Sequence, residues 1–375
     1  MRPFRDELQT RLEELAAAGL RRELRQPEGI DFASNDYLAL AGDRRVREAI
    51  RAATLAGPAG APASRVLRGH LAWHEHVETE LANFKGTEAA LLFPSGYQAN
   101  FAVMTTLIAR EDVVFSDAAN HASLIDGLRL ARASKVIYPH LDIDALRRGL
   151  QHRNSRKRAF IVTESLFSVD GDAAPLRAIA ELAGQYGAEL IVDDAHATGL
   201  YGPSGSGLCE EEGVAAQAAA IISTGGKALG LWGAFVAGPR LVIDYLVQQA
   251  RAFIFTTAVT PLLAAGLETS LRLVREEPER RASVHRLAAL LRARLQAAGV
   301  DTRQSTGPIV PVLLGGNERA LAAAREVTRR GFDVRAVRPP TVPPGTARLR
   351  LSVHSDRTDL EIEGLAAAVT EAIQP

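Results

Sequence analysis

Between residues 45 and 275, short apolar runs alternate with longer stretches of helical periodicity, and that alternation leaves few folds open. The runs at 89–93, 113–115, 160–163, 190–192, 220–223 and 235–237 are apolar almost throughout. They are too short for core helices and read as strands buried on both faces. Helical stretches such as 176–186 lie between them. Strand, helix and strand in repeated succession predict a mainly parallel sheet covered by helices, an α/β fold.

The pattern changes after Pro278. A helix over 282–298, a strand over 309–314, a helix over 319–330, strands near Val334 and at 349–353, and a helix over 359–372 predict a small α+β domain. At the other end, Leu8, Leu12, Leu15 and Leu20 recur near helical spacing between charges, so residues 1–20 read as an amphipathic helix. Residues 29–40 read as a short strand and turn. The expected division is an N-terminal helical segment over 1–24, a large domain over 36–274, and a small domain built from 25–35 and 275–375. The Pro-rich segment 338–345 is a stiff loop, too short to link independent modules.

A chain of 375 residues has room for such a pair of domains with ample core. With 44 basic and 44 acidic residues the formal net charge is zero, which gives no electrostatic case for nucleic acid or an anionic membrane surface. The pairs Arg147-Arg148 and Arg280-Arg281 read as solvated helix faces. Cys209 is the only cysteine, so no intrachain disulfide is possible. The first residues are too charged for a signal peptide, and no apolar run approaches a membrane span. A cytoplasmic protein is expected.

The chemistry gathers at strand ends. The run 218–222 leads into Ser223-Thr224-Gly225-Gly226-Lys227-Ala228, a lone lysine among small residues at a tight turn. A phosphate-binding P-loop is excluded, because Ile221 and Ala228 stand where that motif needs Gly and Ser or Thr. A second cluster, Asp193-Asp194-Ala195-His196, follows the strand at 190–192. An amine for a Schiff base, a carboxylate for a pyridinium nitrogen and an imidazole are the parts by which a protein holds and tunes pyridoxal phosphate. Ser95-Gly96-Tyr97 opens a helix after the strand 89–93 and offers N–H groups to an anion. A plain helix cap by Ser95 is the alternative there. Thr224 offers a hydroxyl to the same phosphate.

His121, in Asn120-His121-Ala122-Ser123, is either a structural histidine or a ring stacked on a cofactor. Glu164 to Asp172 follows the strand 160–163. Ligands of open α/β sheets collect outside the carboxyl ends of strands, where the clusters around Ser95, Glu164, Asp193 and Lys227 all fall. His70 and His74 share a helical spacing, yet the His-Glu-x-x-His order and a third ligand are missing, and no metal site is expected.

Taken in order, from Ser34-Asn35-Asp36-Tyr37-Leu38 to Arg348-Leu349-Arg350, these motifs resemble the α-oxoamine synthases, fold-type I pyridoxal phosphate enzymes akin to aspartate aminotransferase. The resemblance covers nearly the whole chain. It implies that Lys227 carries the Schiff base, Asp193 pairs with the ring nitrogen and His121 stacks on the ring. It places His196 and Ser168 near the ring hydroxyl, and Gly96, Tyr97 and Thr224 at the phosphate. Thr256 and Thr257 would reach across from a second subunit, making a homodimer with shared active sites. The family joins an amino acid to an acyl thioester with loss of carbon dioxide. Within it, this chain looks most like the members of biotin synthesis that join L-alanine to a pimeloyl group carried on CoA or a carrier protein. Arg350 and Asn35 would meet the amino-acid carboxylate. Arg338 and Thr341, with Arg21 as a second candidate, would meet the acyl group, whose distal carboxylate an arginine binds through paired hydrogen bonds. A surface role is the alternative for Arg21 and Arg338.

Two departures from the family pattern fall at the acyl entrance. Residues 60–65 are rich in alanine and proline where relatives carry a Gly/Ser loop, and Arg68 replaces a small residue. Other amino-acid and acyl-CoA pairs of the family, such as glycine with acetyl-CoA, are the nearest rivals. A transaminase or lyase on the same fold and a non-catalytic binding protein are the others.

Overall fold

The computed structural model describes residues 3–374, and the chain divides into two compact units. One takes the chain up to Asn35, Val169–Asp172 and the chain from Ser283 on; the other takes Asp36–Ser168 and Ala173–Ala282.

The second unit is built on a seven-stranded sheet. Its order is Ala89–Phe93, Ala234–Gly238, Ala218–Thr224, Ala188–Asp193, Ala159–Glu164, Val113–Asp117, Ser134–Tyr138. Every pairing is parallel except those of Ala234–Gly238, which runs against both neighbours. The mainly parallel α/β architecture expected from the alternation is therefore present. Two apolar layers cover the sheet. One gathers Phe93, Val103, Leu124 and Val236, and the other Phe115, Leu146, Leu182 and Leu190. Ser134–Tyr138, which the apolar pattern does not mark, is an edge strand. Its first four residues are exposed, so nothing requires them to be apolar on both faces.

In the first unit, an antiparallel sheet runs in the order Arg335–Val337, Ala347–Ser352, Ile309–Gly315. A short parallel pair, Ile30–Asp31 with Phe332–Asp333, accompanies it. Leu287, Leu291, Val312, Leu349 and Leu365 form its core. The helix expected over 282–298 begins earlier, at Pro278, since proline's fixed φ and missing N–H suit a first helical turn. Gly171 explains why Val169–Asp172 belongs here. Its φ is +68°, its carbonyl accepts from Thr306 N at 2.9 Å, and a Cβ on it would lie 2.2 Å from the Ile309 carbonyl oxygen.

Two expectations change. Phe4–Ala17 is helical, but it buries none of its residues, and Leu8, Leu12 and Leu15 stay 41–45% exposed. The Arg280-Arg281 pair is not a solvated face. Arg280 donates to Leu38 O at 2.8 Å and Asp43 Oδ2 at 2.9 Å, while buried Arg281 donates to the carbonyls of Pro203 and Val274. Carbonyls left over at a loop and a helix end need donors, and a long guanidinium stem reaches them.

Candidate active site

Seven of the expected residues, Gly96, Tyr97, His121, Asp193, His196, Thr224 and Lys227, line one cavity of about 210 Å³ in the sheet-centred unit. They arrive there because a parallel sheet presents successive strand ends on one edge. Asp193 ends the strand Ala188–Asp193, Thr224 ends Ala218–Thr224, and Lys227 follows within the next turn. That turn is tightly set. Gly225 N donates to Gly233 O at 3.0 Å, Leu231 N to Gly225 O at 2.8 Å, and a Cβ on Gly225 would meet the Trp232 carbonyl oxygen at 2.4 Å. Gly96 and Tyr97 begin the helix Gly96–Leu107, whose N-cap Ser95 accepts from Gln98 N at 3.2 Å. The cap and the anion site are thus compatible readings of one turn.

A relay of hydrogen bonds orients the polar groups. Asn100 Nδ2 donates to Asp193 Oδ2 at 2.6 Å and to Ser123 Oγ at 2.9 Å. Ser123 Oγ lies 2.7 Å from His121 Nδ1, and Ser123 N donates to the same nitrogen at 3.3 Å. Since Nδ1 accepts, the neutral imidazole carries its proton on Nε2. Desolvation pushes the His121 pKa below its ordinary 6.5, and Lys227 adds to the fall while Asp193 opposes it. The other Asp193 oxygen accepts from Ala195 N at 3.0 Å, so this buried carboxylate has a donor on each oxygen. His196 Nδ1 lies 2.8 Å from Tyr37 Oη. The Thr224 hydroxyl donates to Gly233 O at 2.8 Å and accepts from Gly226 N at 3.1 Å.

Behind Asp193, the fully buried Asp194 takes the Lys85 ammonium at 2.8 Å and the Ser165 hydroxyl at 2.6 Å. Lys85 also donates to Thr198 Oγ1 at 2.8 Å, and Thr198 donates on to Ser223 Oγ at 2.9 Å. The ion pair ties the loop after Asp193 to the end of the helix Ala72–Lys85, and the Thr198–Ser223 bond carries that loop on to the strand that leads into Lys227.

The remaining expected residues stand elsewhere. Ser168 is half-buried and does not line the cavity; its backbone N–H faces the Glu164 carboxylate. Thr256 and Thr257 lie in the loop after the helix Arg251–Ile254, also off the cavity wall. In the other unit, Arg350 donates to Asn35 Oδ1 at 2.9 Å and to Ser352 Oγ at 2.8 Å. Arg21 and Arg338 line a separate cavity of about 980 Å³, and Arg338 donates to the Gly19 carbonyl. Thr341 is exposed. His70 and His74 direct their ring nitrogens to protein groups. His70 bonds Arg65 and Glu75, and buried His74 bonds the Val259 carbonyl at 2.7 Å.

Asn100, Ser123 and Glu164 also line the cavity without having been assigned a role from sequence. Asn100 sits one helical turn beyond Gly96, and that spacing was the available signal. The set suits pyridoxal phosphate: a helix N-terminus for the phosphate, an amine, and a doubly bonded carboxylate for a protonated ring nitrogen. Two buried oxygens on this wall, Asn100 Oδ1 and Glu164 Oε1, have no protein hydrogen-bond partner.

The family described as aminotransferase class I and II matches residues 27–369. An 8-amino-7-oxononanoate synthase of Anaeromyxobacter dehalogenans is 46% identical over 376 aligned positions, covering 96% of this chain and 94% of that protein. A putative 8-amino-7-oxononanoate synthase of Geobacillus kaustophilus is 44% identical, covering 96% of each. Among solved structures, a serine palmitoyltransferase from S. paucimobilis with a bound PLP–myriocin aldimine superposes with a TM-score of 0.92. It is 28% identical, and the match covers 99% of this chain and 98% of that one. The chain belongs to the aminotransferase class I and II family and, within it, to the α-oxoamine synthases.

Proposed function

We propose that this protein condenses L-alanine with a pimeloyl thioester, on CoA or a carrier protein, giving 8-amino-7-oxononanoate, free thiol and carbon dioxide in biotin synthesis. The observation that carries the chemistry is one cavity that Lys227, Asp193 with His196, and His121 reach from the ends of three strands. The choice among family reactions rests on the near-full-length relatives named for this one.

When bound, pyridoxal phosphate supplies an electron sink for a carbanion at the amino-acid α-carbon. Lys227 would hold the cofactor through its Nζ amine, and the same amine would serve as the base for the α-proton. Asp193, fixed by Asn100 and Ala195, keeps a proton on the ring nitrogen. His121 would cover one ring face, and its neutral form would set no like charge against a protonated ring. His196 and Ser168 address the ring hydroxyl. The N–H groups at Gly96 and Tyr97 receive the phosphate, and Thr224 joins them by releasing Gly233.

Arg350 with Asn35 is the proposed partner of the L-alanine carboxylate. Arg338, Thr341 and Arg21 are the proposed partners of the acyl group. The protein acts as a cytoplasmic homodimer in which Thr256 and Thr257 complete the partner's site. Exposed apolar side chains in the same unit, including Leu55, Leu67 and Phe255 at 70–81% exposure, support a covered surface there. Among the described residues no helix is long and apolar enough to cross a membrane.

The test is turnover of purified protein with pyridoxal phosphate, L-alanine and pimeloyl-CoA or pimeloyl carrier protein, read as carbon dioxide and free thiol in equal amounts. Turnover with glycine and acetyl-CoA instead would move the assignment to another member of the family.

A further inference from the structure

Glu164 is the one acidic residue on the cavity wall that the proposed chemistry does not use. It ends the strand Ala159–Glu164 and is the register partner of Asp193 on the neighbouring parallel strand. Paired positions on adjacent strands lie about 5 Å apart and point to the same face. Two carboxyl groups therefore share one wall, and both residues are buried, Glu164 to 2% exposure and Asp193 to 7%.

The surroundings divide them unequally. Asp193 has a side-chain amide on one oxygen and a backbone N–H on the other. The backbone N–H groups of His121 and Ser168 face the Glu164 carboxyl, yet its other oxygen, Oε1, is buried with no partner. Like charges this close do not both ionise in a buried site, and the proton goes to the carboxyl that keeps an oxygen without a donor.

We propose that Glu164 is a positioning residue that stays protonated at neutral pH, leaving Asp193 as the single negative charge of the pair and presenting an O–H to the group bound in the cavity. Its protonation stands on this geometry alone; its effect on the bound group rests on the pyridoxal phosphate reading. Burial and the Asp193 charge push the Glu164 pKa well above its ordinary 4.5. Lys227 and the backbone N–H groups of His121 and Ser168 pull the other way. Because the folded pKa is raised, the wild-type protein is favoured most below pH 4.5 and loses stability relative to a neutral isostere as pH rises above it.

The experiment compares wild type, Glu164→Gln and Glu164→Leu. In infrared difference spectra at neutral pH, wild type minus Glu164→Gln shows the C=O stretch of a protonated carboxylic acid. Loss of carboxylate bands alone would overturn the proposal. In unfolding series against pH, Glu164→Gln gains on wild type as pH rises from about 4.5. A gap that stays flat or reverses contradicts it. With pyridoxal phosphate, Glu164→Gln keeps the wild-type pH midpoint of the Schiff-base absorption and Glu164→Leu binds the cofactor more weakly. A midpoint lowered by about one pH unit or more in Glu164→Gln would show that a negative charge had been removed. If wild type forms no Schiff-base band, the cofactor reading fails while the infrared result still decides Glu164.

Discussion

The proposed chemistry asks two things of Lys227: a reactive amine, and a turn constrained enough to return that amine to one place. Its substitution separates them. Lys227→Ala is expected to lose the Schiff-base absorption and to lower turnover at least ~10²–10⁴-fold, the scale of a lost general base, while far-UV circular dichroism stays unchanged. His121 gives a second prediction at this scale. Its folded pKa lies below the ordinary 6.5, so its neutral form contributes stability above that pH, which is lost as pH falls through the folded value. NMR of the labelled imidazole should show it neutral at pH 6.5 and protonating only below; a midpoint at or above 6.5 contradicts the site's electrostatics. Lys227 and Asp193 are visible in sequence because each follows or ends a buried strand; the same signal marks Glu164 without a role, and sequence leaves His121 between a structural and a stacking role. It gives Asn100 and Ser123 no part in the site. Spacing places Asn100 one turn beyond Gly96, but its role depends on Asp193 and Ser123 standing across from it, which no spacing along one helix carries.

Short elements decide whether the strand ends stay in register. The Gly225 turn has no room for a side chain, so Gly225→Ala must shift the Trp232 segment and the Lys227 turn with it. We expect a loss of about 1–3 kcal/mol by urea unfolding together with weakened cofactor binding, the usual cost of overpacking. The Lys85–Asp194 pair is a sharper case, since both side chains are at most 1% exposed. Lys85→Met strands a buried carboxylate and is expected to cost about 3–5 kcal/mol, part of it recovered by adding Asp194→Asn. No recovery in the double variant would show that the charge pair is not the cause. Sequence periodicity located the buried elements well, because a strand covered on both faces is apolar throughout. It failed at Ser134–Tyr138, where an open edge relaxes that demand, and at Arg281, which a doublet of arginines cannot distinguish from a solvated face.

At the scale of the whole molecule, two features support the proposed homodimer: the unburied leucines of Phe4–Ala17 and the exposed Phe255 beside Thr256 and Thr257. Sedimentation should show a dimer, and Phe255→Asp should shift it toward monomer and weaken cofactor retention together. A stable, fully active monomer would contradict the shared-site proposal. The central claim is that this cavity holds pyridoxal phosphate on Lys227 for a reaction of L-alanine. Its most direct test is the visible spectrum of wild type and Lys227→Ala with pyridoxal phosphate, titrated with L-alanine, glycine and L-serine. A Schiff-base band is expected in wild type alone, perturbed at the lowest concentration by L-alanine. A protein-linked band that persists in Lys227→Ala, or a response led by glycine or L-serine, would contradict it.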